Sequence, residues 1–324
     1  MFYLNFKNFI KLFTFCLKGK FFWNYRLYEK YHEDVQIEGG LQLNNKKKFA
    51  IVMQGLMVDK DLFTVNTMEI YRKNFPDAIL ILSTWDVSSM AASRMSLIDV
   101  HVIYNNRPNN SGISNINLQI VTSKSGVLKA KDMGAEYVLK TRTDQRIYHP
   151  SLYVYLFSLI DIYPLPSHIK GQNKRLVAAS LNTFKYRLYG VSDMFLFGEI
   201  DDMTRYWNAP LDERHPSFGQ ESGKTLREFS EYRIAEVYLS TEFLKKIGRN
   251  IDFSLKDSFS IFRDHFIVID QSAVKLFWNK YTFNEEKTER FGQFNPEMSH
   301  NDWLLLHSSM NSLLIDESIL DRSN

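Results

Sequence analysis

Four short apolar runs in the first half of the chain alternate with segments of helical periodicity, and this alternation constrains the fold most. The runs are residues 49–53, 78–82, 100–104 and 136–140. Short apolar runs that end in glycine or polar clusters are typical of buried strands. Parallel neighbouring strands need crossover connections, which are usually helices. The sequence therefore predicts an α/β fold, with a mainly parallel sheet flanked by helices and a less regular C-terminal half.

The segments between the runs carry the signals of helix ends. Thr64 is predicted to be the N-cap of a helix that stops at Pro76. Residues 117–133 also have a helical pattern, and Gly134 is placed to form a left-handed C-terminal cap. In the second half we expect strands at residues 176–180, 194–197 and 266–269, and one helix face that spans residues 226–243.

Charge divides the chain into two parts. The 324 residues include 40 Lys and Arg and 37 Asp and Glu, a net charge of +3, which is too balanced for a protein whose main partner is nucleic acid. Residues 1–30 hold six cations and one anion, a net charge of +5. We therefore separate a basic, aromatic N-terminal segment with its linker, residues 1–44, from a single domain of residues 45–324.

The densest polar cluster directly follows the fourth apolar run. It comprises three cations, two hydroxyls and one carboxylate, which are Lys140, Thr141, Arg142, Thr143, Asp144 and Arg146. Arginine and lysine neutralise phosphate oxygens, and a carboxylate can hold a divalent cation between them. Ligands of parallel sheets bind beyond the carboxyl ends of the strands. The cluster predicts a site for a phosphate-bearing ligand; the alternative is a solvated loop with internal salt bridges.

Two further carboxylates are candidates for acid–base chemistry. Asp193 stands at the start of an apolar run, where a charged side chain is either at the mouth of a strand or paired inside the protein. Glu236 lies next to the apolar stripe of its predicted helix, where it can face a cleft as a general base. Its structural alternative is a solvated or ion-paired helix residue.

The sequence lacks the signatures of several common enzyme classes. Its eight histidines form no His-x-His or HExxH pair, although His265 is a candidate for one distant metal ligand. No GxGxxG, GxxxxGK[ST] or GxSxG motif is present. Typical dinucleotide-binding enzymes, P-loop enzymes and α/β-hydrolases therefore lose support.

Several short motifs, in the same order along the chain, resemble the WavE lipopolysaccharide synthesis family. They are Gln54-Gly55, Phe63-Thr64, residues 71–76, residues 82–85, Asn117-Leu118-Gln119, residues 140–146, and residues 192–195 followed by Gly198. The resemblance implies a GT-A-like, Rossmann-type glycosyltransferase of hexosyltransferase type. Such an enzyme would move a sugar from a nucleotide-sugar donor to a growing lipopolysaccharide or capsular polysaccharide acceptor. The alternatives are a non-catalytic scaffold of the same fold in a polysaccharide-assembly complex and an unrelated α/β phosphotransferase.

The resemblance also implies roles for individual residues. GT-A enzymes hold Mg²⁺ or Mn²⁺ on the donor diphosphate with an Asp-x-Asp motif, but residues 141–145 contain one carboxylate, so metal dependence stays open. The candidate metal ligands are Asp144 and His265. The acceptor base is expected to be Asp193 or Glu236. The candidate donor-binding residues, in a half that spans about residues 45–150, are Gln54, Trp85, Asp86, Asn117, Gln119, Lys140, Arg142, Asp144 and Arg146. Residues 151–324 are expected to form the acceptor half.

The N-terminal segment is predicted to lie on a membrane surface without crossing it. Its longest apolar run, residues 12–17, is far shorter than the ~20 residues that span a bilayer, and a signal peptide also needs a longer one. Cations interleaved with aromatic side chains suit an anionic leaflet, whereas the alternative is a helix packed on the domain. Cys16 is the single cysteine, which excludes a disulfide framework. We expect a cytoplasmic protein at the inner face of the cell membrane, with a saccharide or lipid-linked saccharide acceptor.

Overall fold

A seven-stranded sheet forms the core of the computed structural model, which describes residues 47–149, 151–215, 224–279, 295–310 and 314–322. Its strands are β1 (Phe49–Gln54), β2 (Ile79–Thr84), β3 (Val100–Tyr104), β4 (Tyr137–Arg142), β6 (Leu176–Ala179), β7 (Leu196–Glu199) and β8 (Phe266–Ile269). Two further strands, β5 (Gln145–Ile147) and β9 (Leu276–Trp278), form a separate antiparallel pair.

The strand order in the large sheet is β3-β2-β1-β4-β7-β6-β8. Strand β7 is antiparallel to both of its neighbours, and every other neighbouring pair is parallel. The predicted α/β fold with a mainly parallel sheet is therefore confirmed.

Helices cover the sheet. Within the described residues they are α1 (Phe63–Asn74), α2 (Ser89–Leu97), α3 (Ile116–Asp132), α4 (Leu152–Ile162), α5 (Ile200–Trp207), α6 (Leu226–Glu231), α7 (Ala235–Lys246), α8 (Leu255–His265) and α9 (His300–Ser309). All six residues of β1 are buried because the strand lies in the middle of the sheet and is covered on both faces. This burial explains why the strand is a continuous apolar run rather than an alternating one.

Two predicted helix boundaries are wrong, and each difference has a local cause. Helix α1 begins at Phe63 after a left-handed Leu62, and no side chain caps it. The Thr64 hydroxyl instead accepts a hydrogen bond from the Val58 amide at 2.9 Å and donates one to the Thr143 carbonyl at 3.0 Å. The predicted helix face of residues 226–243 belongs to two helices, α6 and α7, because Arg233 between them is left-handed with φ of 54°.

The direction of the strands decides which side chains can meet. Strands β1, β2, β3, β4, β6 and β8 end at the same edge of the large sheet, which we call the carboxyl edge. The antiparallel β7 starts there, so the residues just before Leu196 also lie at this edge. The opposite edge is called the amino edge below. The predicted polar clusters after β1, β2, β3 and β4 therefore share one edge.

The N-terminal segment of residues 1–44, with Cys16 and the predicted membrane contact of residues 1–30, lies outside the described residues. No helix in the described part of the chain is both long and apolar enough to span a membrane.

Candidate functional site

Arg142, the last residue of β4, forms a paired side-chain contact with Asp144. Arg142 Nε donates to Asp144 Oδ1 at 2.9 Å, and Nη2 donates to Oδ2 at 3.0 Å. The Trp278 indole of β9 donates to the same Oδ2 at 3.0 Å. Burial alone would raise the pKa of Asp144, but the hydrogen bonds from Arg142 and Trp278 outweigh it and lower that pKa. Asp144 is therefore ionised at neutral pH.

Lys140 lies deeper in β4 and is completely buried. Its Nζ donates a hydrogen bond to the Asp193 backbone carbonyl and lies 4.6 Å from the centroid of the Trp207 ring. Burial lowers the pKa of Lys140 to about 7, although the charges of Asp193 and Asp144 act in the opposite direction. This ammonium is close to its titration point and does not reach solvent.

Arg146 is a structural residue in the part of the chain that is described. Its Nε donates to Thr67 Oγ1 at 2.9 Å, and its other two nitrogens donate to the Tyr148 hydroxyl and the Phe63 carbonyl, each at 3.3 Å. The guanidinium also lies 4.5 Å from the centroid of the Phe63 ring. These contacts fix β5 against the start of α1, so the structure does not place Arg146 beside Arg142 in an open site.

Asp193 and Glu236 lie near this cluster in different environments. Asp193 is buried, and its Oδ2 has no hydrogen-bond partner among the described residues. Glu236, in the first turn of α7, accepts a hydrogen bond from Asn182 Nδ2 and faces Arg187 Nη1 at 3.6 Å. Burial lowers the pKa of Arg142, but its hydrogen bonds to Asp144 outweigh burial and raise that pKa above its ordinary value, and the charges of Asp193 and Glu236 act in the same direction. The structure thus brings both predicted base candidates to the side of the predicted diphosphate site.

The ends of β2 and β3 form a second polar region at the carboxyl edge. Trp85 is half-buried, and the Arg107 guanidinium lies 5.3 Å from its ring centroid. Asp86 is exposed and accepts a hydrogen bond from the Val87 amide at 2.8 Å. Thr84 Oγ1 is buried without a hydrogen-bond partner within the described residues. Neighbouring strands lie ~4.8 Å apart, so Trp85 and Arg142 follow strands that are separated by roughly 10 Å.

The remaining residues predicted to bind the donor differ in whether their polar atoms are already used in hydrogen bonds within the protein. Gln54 is buried and accepts a hydrogen bond from Thr122 at 2.7 Å. Asn117 is also buried; its side chain bonds both the amide and the carbonyl of Asp212, at 2.7 and 2.8 Å, and so anchors that loop. Gln119 Oε1 is buried and accepts no hydrogen bond from a described residue. Gln119 therefore keeps a free acceptor, whereas the polar atoms of Asn117 are used in the fold.

The loops around Arg142 are packed closely. Gly55, which follows β1, has φ of 119°, and a Cβ added there would lie 3.1 Å from Thr143 Oγ1. The Thr143 hydroxyl donates to the Leu56 carbonyl at 2.5 Å. Any larger residue at position 55 would be strained and would push these two loops apart.

The two predicted metal ligands, Asp144 and His265, do not come together. His265 precedes β8 and lies at the amino edge, where its Nδ1 is 2.7 Å from Gln172 Oε1. The Asp144 oxygens already accept three hydrogen bonds. No group of three or more His, Cys, Asp or Glu side chains in the described residues could hold a metal ion. Among the described residues, the donor set beside Asp144 does not fit a divalent cation.

Sequence reasoning missed several side chains of this region. Trp278, Arg187 and Asn182 contact Asp144 or Glu236 from segments that are distant in sequence. No local motif marks them, because each contact depends on how the second half folds over the carboxyl edge. Arg107 could have been found from the sequence, because it belongs to the polar cluster after β3.

The chain is an α/β protein with a cluster of charged side chains at the carboxyl edge of its sheet. The chain belongs to the WavE lipopolysaccharide synthesis family, whose model matches residues 50–308. Family membership indicates a role in the synthesis of lipopolysaccharide. A search of curated protein sequences gave no match.

Three solved structures share part of the fold at low identity. A putative nucleotide-diphospho-sugar transferase from Desulfovibrio desulfuricans G20 is 10% identical, with 62% of this chain and 77% of that chain covered and a TM-score of 0.34. An active-site mutant of LgtC is 10% identical, with 68% and 73% covered and a TM-score of 0.33. A glycosyltransferase involved in glycosylation of the major capsid of PBCV-1 is 12% identical, with 53% and 71% covered and a TM-score of 0.29.

Proposed function

We propose that this protein is a GT-A-like, hexosyltransferase-type glycosyltransferase. It moves a sugar from a nucleotide-sugar donor to a growing lipopolysaccharide or capsular polysaccharide acceptor. The observation that carries the proposal is Arg142, a partly exposed guanidinium at the carboxyl edge, where Asp193 lies just before β7 and Glu236 bonds to Asn182 just after β6. A cation for a leaving diphosphate and a base for an acceptor hydroxyl are the two groups that such a transfer needs.

The donor nucleoside would occupy the region after β2 and β3. The Trp85 ring offers a stacking face, and Asp86 offers an exposed carboxylate for ribose hydroxyls. Thr84 and Gln119 each hold a buried oxygen that lacks a partner within the described residues. An unsatisfied buried polar atom is costly, and a nucleoside that hydrogen-bonds to these oxygens would remove that cost.

The transfer step follows from these positions. The bond between the anomeric carbon and the diphosphate oxygen breaks, and negative charge that builds on the diphosphate is stabilised by Arg142. The acceptor oxygen bonds to the anomeric carbon, and its proton passes to a carboxylate. Asp193 suits this role better than Glu236, because the Glu236 carboxylate already accepts a hydrogen bond from Asn182 and faces Arg187, whereas Asp193 Oδ2 has no partner among the described residues.

The test is a thermal-shift screen of the full chain with uridine, guanosine, cytidine, adenosine and thymidine diphosphate sugars. A ligand at 100 times its dissociation constant stabilises the folded state by about 2.7 kcal/mol. We expect a rise in Tm with one nucleotide class and no rise with the matching sugar 1-phosphates, which lack the nucleoside. No rise with any nucleotide sugar would contradict the proposal and favour a scaffold of the same family.

We also propose that residues 1–30 bind the anionic inner face of the cell membrane, which would bring the enzyme to a lipid-linked acceptor. The support is their net charge of +5 and the interleaved aromatic side chains.

A further inference from the structure

Arg142 retains hydrogen-bond donors that the protein does not use. A guanidinium has five N–H groups, and Arg142 spends two of them on Asp144, through Nε and Nη2. Its Nη1 makes no hydrogen bond to any described residue, and a quarter of the side chain is exposed. Its Cζ lies 5.9 Å from the centroid of the Trp278 ring. Arg142 is thus held on one side and open on the other.

The other two cations of residues 140–146 cannot serve an external anion in this way. The Lys140 ammonium is completely buried and donates to the Asp193 carbonyl. Arg146 is only 4% exposed, and all three of its nitrogens donate to protein oxygens. Within residues 140–146, Arg142 is therefore the cation that combines unused hydrogen-bond donors with exposure to solvent.

The contacts of Asp144 also favour Arg142 over a metal ion as the cation beside it. A carboxylate that ligates Mg²⁺ or Mn²⁺ must offer oxygen lone pairs to the ion. Arg142 and Trp278 direct three N–H groups at the two Asp144 oxygens, which occupies three of their roughly four lone-pair sites, and a cation at the remaining site would lie beside the Arg142 charge and be repelled by it. The carboxylate is therefore arranged to hold a guanidinium.

We infer that Arg142 takes the position and the role that a divalent cation has beside a donor diphosphate. Asp144 and Trp278 act as positioning residues that orient the guanidinium, and the free Nη1 edge binds the diphosphate oxygens. Arginine suits this task because its charge is permanent and its planar fork matches two phosphate oxygens at once. This inference rests on the proposed function and adds to it that the diphosphate is bound without a metal.

The first experiment measures binding of uridine, guanosine, cytidine, adenosine and thymidine diphosphates by calorimetry, with EDTA and with Mn²⁺. We expect one of them to bind the wild-type protein in EDTA, and Mn²⁺ to change that affinity little. Arg142→Gln should weaken the binding by about 10- to 100-fold, the usual effect of losing hydrogen bonds to a charged group.

The chain offers a matched control in Arg263 and Asp264. This pair has the same side-on geometry, with Nε–Oδ1 and Nη2–Oδ2 distances of 2.7 and 2.8 Å and a similar exposure, but it lies at the amino edge. Arg263→Gln removes an equivalent ion pair and should leave diphosphate binding unchanged. An equal loss in both variants would mean that the effect is general destabilisation, and it would overturn the inference.

The Asp144→Asn variant distinguishes a positioning role of Asp144 from a role as a metal ligand. If Asp144 positions Arg142, the variant should bind the diphosphate in EDTA more weakly than the wild type but more tightly than Arg142→Gln, Mn²⁺ should change neither affinity much, and kcat should fall because the guanidinium is misaligned. If Asp144 ligates a metal, the wild type should bind tightly only with Mn²⁺, and the variant should lose that gain, which would overturn the inference but not the proposed function. No binding by the wild type with or without Mn²⁺ would contradict the proposed function itself.

Discussion

At the scale of single residues, the cations of residues 140–146 differ in solvent exposure because of their position relative to the end of β4. Lys140 lies within the strand, between Val52 of β1 and Leu196 of β7, so neighbouring elements cover it completely. Arg142 is the last residue of the strand and is partly exposed. Two cations that are two positions apart in the chain thus differ in their access to solvent.

The first prediction concerns the base. Asp193→Asn should retain donor binding and lose transfer by about 10²- to 10⁴-fold, because the group that accepts the proton is gone. Glu236→Gln should mainly lower Tm, because it removes the charge that faces the buried Arg187. The measurements are kcat at saturating donor, donor affinity and Tm for both variants. Full activity of Asp193→Asn would remove this assignment, and loss of kcat at unchanged Tm in Glu236→Gln alone would move the role to Glu236.

At the scale of elements, the sequence predicted the buried strands well because their whole signal is local. β1 is apolar throughout since it is covered on both faces, and Gly134 has the left-handed φ of 80° that its position after α3 requires. The β5–β9 pair was not predictable in this way. It joins Gln145 to Trp278 across more than a hundred residues, and each of its strands has only 3 residues, which is too short for a recognisable strand pattern.

In the candidate site, too, the sequence reveals residues that are adjacent in the chain but not contacts between distant segments. The cluster at residues 140–146 was visible because its charges are adjacent in sequence. The partner of Asp144 on β9 and the partners of Glu236 at residues 182 and 187 come from the fold alone. The separation of His265 from Asp144 likewise depends on the direction of β8, which composition does not reveal.

A second prediction belongs to the junction of α8 and β8. His265 is almost fully buried, and burial lowers its pKa from 6.5 to about 4, so the folded state favours the neutral ring. Its contribution to stability is complete above about pH 6.5 and is lost as the pH falls from there towards 4, where the unfolded chain binds the proton first. The expected loss is on the order of 3 kcal/mol across that interval.

The measurement is the free energy of unfolding by urea at several pH values between 4 and 7. His265→Gln should have a shallower dependence on pH than the wild type, whatever its absolute stability. His101, whose side chain is 38% exposed, provides the control, and His101→Gln should keep the wild-type slope. A wild-type slope in His265→Gln would show that other groups cause the acid sensitivity.

At the scale of the whole molecule, the carboxyl edge collects groups from both parts of the domain. Trp85 and Arg142 come from the first half, which we propose binds the donor, and Asp193, Glu236 and Trp278 come from the second, which we propose binds the acceptor. The amino edge carries His265 and the Arg263–Asp264 pair and none of the proposed donor contacts. The residues of the proposed site thus lie at the carboxyl edge of the sheet, and the control pair lies at the amino edge.

A third prediction concerns residues 1–30. Cations near an anionic leaflet contribute roughly 1 kcal/mol each, so the six in this segment should give peripheral binding that weakens with salt. Co-sedimentation with phosphatidylserine-containing vesicles at low and high salt is the measurement. Loss of pelleting when residues 1–30 are deleted from a chain that still folds supports the proposal. A wild type that stays in the supernatant, with an unfolded deletion variant, would show that the segment packs on the domain instead.

The most direct test of the central claim is release of nucleoside diphosphate from the nucleotide sugar identified by the thermal-shift screen. The full chain is incubated with that donor and with lipopolysaccharide or capsular oligosaccharide acceptors, and both the released diphosphate and the extended saccharide are quantified. The account predicts that the two products appear in equal amounts with wild-type protein and Arg263→Gln, and that both fall together in Arg142→Gln and Asp193→Asn. Bound donor with no diphosphate released and no saccharide extended for any acceptor would contradict a glycosyltransferase.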